Sequence, residues 1–201
     1  MKYDEWINFF KKNKRKKLFS LSDLIVLTEE NKSSLSVQLS RLVKSKIINR
    51  VARDWYENPF NSASTEEISM TLRYPCYLSM EYALYKNNIL SQQVFTLTLV
   101  TTKQPYTYIK ENATYEFHQI KKSLFWGYER IDMINIAESE KALLDLIYIR
   151  SSKGSEMTID SLYSLVDDMD FDELNKKILL NYALKFDTGT QKILADILKE
   201  K

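Results

Sequence analysis

Apolar residues recur at helical spacing from the first turn of the chain. Trp6, Ile7, Phe9 and Phe10 within YDEWINFFKKN predict an amphipathic helix over residues 3–13. The basic run Lys11, Lys12, Lys14, Arg15, Lys16 and Lys17 follows. Leu18-Phe19 comes next, and Ser20-Leu21-Ser22-Asp23 then opens a second helix reaching about Thr28, with Ser22 as its N-cap. After the polar turn Glu29-Glu30-Asn31, Ser33 or Ser34 caps a third helix in which Leu35, Leu39, Leu42 and Val43 form one apolar stripe. The opposite face carries Ser36, Gln38, Ser40, Arg41 and Lys44. Beyond Lys46 the pattern shortens: Ile47–Val51 and Trp55-Tyr56, separated by Ala52-Arg53-Asp54, read as two short strands with a tight connection.

Two short helices joined by a turn, then a basic hairpin, is the layout of a winged helix-turn-helix. A helix meant for a major groove needs an apolar stripe to dock on its neighbours. It also needs short polar and basic side chains facing outward, so that its backbone comes close to base edges. Residues 32–45 meet both demands, and the expected ligand is double-stranded DNA. Ser33, Ser34, Ser36, Gln38 and Arg41 are the expected base-facing set. Lys32, Lys44, Arg50 and Arg53 are the expected phosphate contacts, the last two from the hairpin. The Lys11–Lys17 run reads equally well as a phosphate-binding surface and as a solvated helix end.

The stretch ENPFNSASTEEISMT is polar and rich in turn formers, and it divides the chain into a domain 1–57, a linker 58–71 and a second domain 72–201. In the second domain, a helix capped by Ser79 is expected to end at about Lys86. Phe95–Val100, Tyr106–Ile109 and Ala113–Ile120 read as strands, and INIAESEKALLDLIYI carries a helix from about Ala137 to Ile149. Residues 158–166, 170–185 and 188–199 are expected to be helical. The fold class is α+β: an N-terminal winged helix-turn-helix, then a mixed α/β C-terminal domain with helices at its ends and strands between about 94 and 136.

Charge sharpens that division. The net charge of +2 hides an asymmetry, since residues 1–53 hold 13 Lys and Arg against 5 Asp and Glu, and the remainder holds 16 against 22. Such a split suggests a basic module for a polyanion joined to a module with another task. No apolar run approaches the roughly 20 residues of a membrane span. MKYDEWINFF has acids where a signal peptide has basic residues, so a cytoplasmic protein without a membrane partner is expected. A single cysteine, Cys76, and a single histidine, His118, exclude a disulfide framework and a thiolate or His-pair metal site. They also leave little room for a Ser-His-Asp or Cys-His nucleophile. With three glycines there is no Gly-rich phosphate loop, and neither cofactor nor metal is expected.

The phrases YPCYLSMEYALYKNNIL, FTLTLVTTK and IAESEKALLDLIYI, in this order, resemble the AbiEi family, the antitoxins of AbiE-type (type IV) toxin–antitoxin systems. The resemblance spans about residues 20–150, and the last phrase is its most specific part. The family's Gly in the first phrase is replaced here by Asn87-Asn88, and the Gly before the aromatic strand of the wing by Asp54. Asn tolerates the left-handed conformation that such a turn requires. The resemblance implies an autorepressor that binds inverted repeats upstream of its own operon. It also implies an antitoxin that neutralises a co-encoded nucleotidyltransferase-like toxin, with or without touching it, as in phage defence. Within the three phrases the apolar residues Leu78, Ala83, Leu84, Ala142, Leu143 and Leu146 read as core. The polar members Ser79, Glu81, Glu140, Lys141 and Asp145 are the candidates for partner contact.

Two other functions compete with this one. In the first, the second domain of a winged-helix regulator senses an unrelated ligand or protein. In the second, Gly154-Ser155, followed by Asp168 and Asp170, forms the Mg²⁺ site of a nucleotidyltransferase. The context of that pattern is wrong, because a helix rather than a strand precedes the Gly-Ser pair. The acids also crowd a helix start, where the macrodipole accounts for them. The chain is therefore expected not to be an enzyme.

Overall fold

Four aromatic rings close the first core. In the computed structural model, which describes residues 1–110, 113–152 and 159–200, helix α1 (Tyr3–Lys12) buries Trp6 and Phe10 against Phe19 of strand β1 (Leu18–Ser20). Phe9 lies beside them, and neighbouring centroids are 5.3–5.7 Å apart. Offset and edge-to-face contacts of this kind stabilise beyond area burial alone. Strand β1 was not expected, since three residues are too short to show a period. Helix α2 (Leu21–Thr28) is capped by Ser20 rather than Ser22: Ser20 Oγ accepts from Asp23 N at 3.0 Å, and the Asp23 carboxylate accepts from Ser20 N at 2.9 Å. Helix α3 (Lys32–Lys44) is capped by Asn31 rather than by Ser33 or Ser34, and it buries Leu35, Leu39 and Leu42. Strands β2 (Arg50–Ala52) and β3 (Trp55–Glu57) complete an antiparallel sheet of order β1-β3-β2. The β2–β3 turn is made by Asp54 in the left-handed region at φ +62.

The polar stretch 58–71, expected as a linker, is instead folded into this first unit, which runs to Leu72. Asn58 is fully buried, and its amide donates to the carbonyls of Phe10, Asn13 and Lys16 at 3.0–3.3 Å, tying down the end of α1 and the loop after it. Helix α4 (Thr65–Leu72) begins with a reciprocal Ser64–Glu67 cap. The buried Glu67 carboxylate accepts from Lys17 Nζ at 2.9 and 3.0 Å. A turn-rich composition here builds capping interactions rather than a tether.

The second unit, Arg73–Lys201, holds a mixed sheet of strand order β6-β7-β5-β4-β9-β8. Its strands are β4 (Cys76–Leu78), β5 (Leu97–Thr101), β6 (Tyr106–Lys110), β7 (Ala113–Gln119), β8 (Tyr128–Ile131) and β9 (Ile134–Ala137). The pairs β4–β9 and β5–β7 are parallel, and the others antiparallel. Helices α5 (Met80–Lys86), α6 (Ser139–Arg150), α7 (Ile159–Asp167), α8 (Lys176–Ala183) and α9 (Thr188–Glu200) accompany it. Helix α6 touches all four others and is buried from Glu140 to Ile147, so its apolar residues occupy every side. The expected helix over 170–185 starts only at Lys176, capped by Asn175. Ahead of it, Met169 bridges Leu90 and Asp170 N donates to the Ile89 carbonyl at 2.8 Å, and these long-range bonds hold residues 169–170 out of the helix. Asn88 takes φ +60 after α5, as a left-handed helix end requires. No helix among the described residues is long and apolar enough to cross a membrane.

Gly127 has φ +72, and a Cβ there would lie 2.8 Å from Lys141 Cγ. The Lys141 side chain is anchored at its far end and cannot swing away. Gly127→Ala is expected to lower stability by roughly 2 kcal/mol or more, from backbone strain and overpacking together. Urea unfolding checks this, and a loss below about 0.5 kcal/mol would contradict the packing described.

Candidate nucleic-acid interface

The face of α3 turned away from the core is defined by the stripe that anchors it. With Leu35, Leu39 and Leu42 inward, Lys32, Ser33, Val37, Ser40, Arg41 and Lys44 are exposed and Ser36 is half-buried. Ser36, Val37, Ser40, Arg41 and Lys44 line one shallow, open depression. Ser36 and Ser40 donate back to the carbonyls four residues earlier, which keeps both hydroxyls close to the helix and the surface low. Among the described residues, the side chains of Lys32, Arg41 and Lys44 form no ion pair, and no acid lies between Lys32 and Lys44.

Two of the expected base-facing residues, Ser34 and Gln38, are half-buried and engaged within the unit. Gln38 is half-buried and bound on all sides: its Oε1 accepts from Trp6 Nε1 at 3.0 Å and the Met1 amine at 2.7 Å, while Nε2 donates to Ser34 Oγ at 3.0 Å. Ser34 in turn donates to Glu30 at 3.1 Å. Together they fasten the start of α3 to α1, so Ser34 and Gln38 are positioning residues. Val37 replaces them on the outward face, where the apolar-stripe argument gives no reason to look for a valine.

At the hairpin, Arg53 is 92% exposed with Asp54 at 3.9 Å, and Arg50 lies at the same distance from Asp54. These are loose, solvent-facing pairs of small energetic worth. Arg53 stands at the tip of the β2–β3 turn, and Arg50 at its side donates from Nε to the Ala52 carbonyl at 3.3 Å. The basic run is partly used internally. Lys17 holds Glu67, Lys16 holds Asp23 at 3.0 Å, and Lys11 lies over the Phe60 ring at 5.5 Å, whereas Lys12, Lys14 and Arg15 are exposed.

In the second unit four of the five polar residues expected at a partner contact, Ser79, Glu140, Lys141 and Asp145, lie inside the fold, which corrects that assignment. The fifth, Glu81, lines a cleft. Ser79, Lys141 and Asp145 are fully buried, and Glu81 and Glu140 are nearly so. Asp145 Oδ2 accepts from Tyr77 OH and Ser79 Oγ, both at 2.8 Å, and Lys141 Nζ donates to Asp145 Oδ1 and, at 2.9 Å, to Tyr77 OH. The network links β4 to α6, across 64–68 residues of chain. Burial pushes the Asp145 carboxyl up and the Lys141 amine down, each opposed by the other's charge. Trp126 and Phe186 cover the Lys141 ammonium at 5.2 and 5.3 Å. Glu140 accepts from Asn175 N at 2.7 Å, orienting the start of α8.

Glu81 belongs to a different group. It lines a cleft of about 380 Å³ with Glu116 of β7 and Arg150 at the end of α6. His118 Nε2 stands 3.5 Å from Glu116, a charge-pair distance at which no hydrogen bond is made. The proximity of His118 and Arg150 holds the Glu116 carboxyl below its ordinary range against the opposing effect of burial.

Chemistry elsewhere is sparse. Burial pushes the Cys76 thiol up to about 12, so it packs as a small apolar group rather than acting as a nucleophile. Gly154 and Ser155 lie outside the described residues. Asp168 accepts from Gln92, and Asp170 caps the turn by accepting from Asp172 N at 3.0 Å, so both acids serve the connection between α7 and α8. Among the described residues no group of three or more His, Cys, Asp or Glu is placed to hold a metal ion. Compared with known proteins, the chain matches no family model and no curated protein.

Proposed function

We propose that the first unit is a winged helix-turn-helix that binds double-stranded DNA, with α3 in the major groove and the β2–β3 hairpin as the wing. The observation that carries this reading is the outward face of α3: three cations without ion-pair partners, two hydroxyls drawn in against the helix, one exposed valine and no acid. That face offers donors to base edges and phosphates and lets the helix axis approach closely. Val37 can meet a thymine methyl, Arg41 a guanine edge, and Lys32 and Lys44 the flanking phosphates. The element order helix, strand, helix, helix, strand, strand supports the assignment, and Arg50 and Arg53 fall where a wing follows the backbone.

The second unit then serves a partner, and the resemblance of its three phrases to the AbiEi antitoxins supports an autorepressor whose partner is a co-encoded nucleotidyltransferase-like toxin. With Ser79, Lys141 and Asp145 buried, those phrases act as the framework of the unit, and any toxin effect runs through other residues. A regulator whose second unit answers to a ligand is the alternative, favoured by the cleft at Glu81, Glu116 and Arg150.

The test is a salt-series mobility shift of the full chain on its own upstream DNA. With about five or six phosphates contacted, affinity is expected to fall by roughly three decades between about 50 and about 200 mM salt. Arg41→Ala is expected to cost roughly 1–3 kcal/mol of specific binding. Val37→Ala should weaken binding less, and mainly at thymine-containing positions. A flat salt response together with an unchanged Arg41→Ala affinity would remove α3 from the interface.

A further inference from the structure

The cleft in the second unit has an unusual ion pair on its wall. Arg150 sends both Nε and Nη2 to one oxygen of Glu81, Oε1, at 2.9 and 2.8 Å. A guanidinium facing a carboxylate ordinarily spreads two donors over two oxygens. Here the second oxygen, Glu81 Oε2, is buried without a hydrogen-bond partner. Arg150 Nη2 reaches Glu116 only at 4.0 Å. Two carboxylates, Glu81 and Glu116, thus share the single charge of one guanidinium. A buried carboxylate oxygen without a donor is costly, so the one guanidinium compensates Glu81 only in part and Glu116 still less.

The rest of the lining suits a donor on an apolar stem. Leu90, Val94 and Leu165 form apolar walls, and Phe95, 77% exposed, stands at the rim with its ring offered to whatever enters. A cation passing such a ring is attracted to its face, and methylenes behind the cation cover the aliphatic wall. The volume lies in the range of small-ligand pockets.

We propose that this cleft binds an alkylguanidinium or alkylammonium group, which donates to the accessible Glu116 carboxylate and offsets the charge that Glu116 and Glu81 leave uncompensated, while its methylenes lie against Val94 and Phe95. The same chemistry is carried by a free diamine or guanidinoalkylamine and by an arginine or lysine side chain on a partner protein. The assignment stands independently of DNA binding by the first unit.

Calorimetric titration of the full chain tests it, with agmatine and the capped peptide acetyl-Gly-Arg-Gly-amide as probes and pentanoate and pentanol as charge-reversed and neutral controls. At least one cationic probe should bind with one-site stoichiometry while both controls fail. Binding by the peptide alone assigns the site to a partner's side chain, and binding by agmatine alone to a free amine. Phe95→Ala, on the exposed rim, should weaken the cationic probe several-fold with the folded state unchanged. Glu81→Gln should weaken it about tenfold or more. Pentanoate binding in place of the cations would make Arg150 the recognition group and overturn the proposal. Failure of both cations at about 10 mM would do the same, as would binding indifferent to both substitutions.

Discussion

Asp145→Ala is expected to lower the stability of the chain by roughly 3–5 kcal/mol, the largest effect of any single substitution in the second unit. The change strips the acceptor from Tyr77 OH and Ser79 Oγ and leaves the Lys141 ammonium fully buried with no counter-charge. Desolvation dominates, because a fully buried ammonium loses its counter-charge. The companion experiment separates that penalty from the worth of the network. Lys141→Met with Asp145→Leu still leaves two hydroxyls without an acceptor. Adding Tyr77→Phe and Ser79→Ala removes every buried donor, so the fourfold variant should recover most of the loss. Urea denaturation of the three proteins decides the matter. An Asp145→Ala loss below about 1 kcal/mol would mean that the buried pair is already neutral in the folded state.

The second large effect concerns where the first unit ends. A fragment of residues 1–57, the domain suggested by composition, should be largely unfolded at 25 °C, whereas a fragment of 1–72 should melt cooperatively. Truncation after Glu57 deletes Asn58, whose amide satisfies three carbonyls at and beyond the end of α1, and deletes Glu67, the partner of Lys17. Lost buried hydrogen bonds at roughly 1–3 kcal/mol each exceed what a unit of this size can spare. Circular dichroism of both fragments with temperature checks this. A cooperative melt for 1–57 would show that Asn58 and α4 are ornament to a self-sufficient core.

How far the sequence could be read depended on how local the interactions were. The α3 stripe is legible because Leu35, Leu39 and Leu42 repeat every three or four residues, and β5, β6 and β7 because they run to five or more residues. Strands β1 and β4, of three residues, and β8 and β9, of four, leave too little pattern. Asn58 and Glu67 fall within the stretch expected as a linker, because their partners lie 42–50 positions away. The same distance effect misplaced Ser79, Lys141 and Asp145. A polar residue in an apolar helix can mark a surface or a satisfied interior, and only the 64–68-residue contacts with β4 distinguish the two. On α3, helical phase placed Gln38 on the outer side, but the Trp6 indole and Ser34 turn its amide inward.

The parallel pairing of β4 with β9 fixes an order of events during synthesis. The first unit is complete in sequence at Leu72, before any strand of the second unit has been made. In the second unit, β4 at residues 76–78 must wait for β9 at 134–137 and for α6 behind it before its three buried residues are covered on both edges. Chain closure over such separations is slow, and domains fold as units from the N-terminus as they emerge. A nascent chain therefore presents a finished, basic first unit while the strand core behind it is still open. For the interval needed to translate some sixty further residues, an apolar strand edge is exposed to chaperones or to another chain.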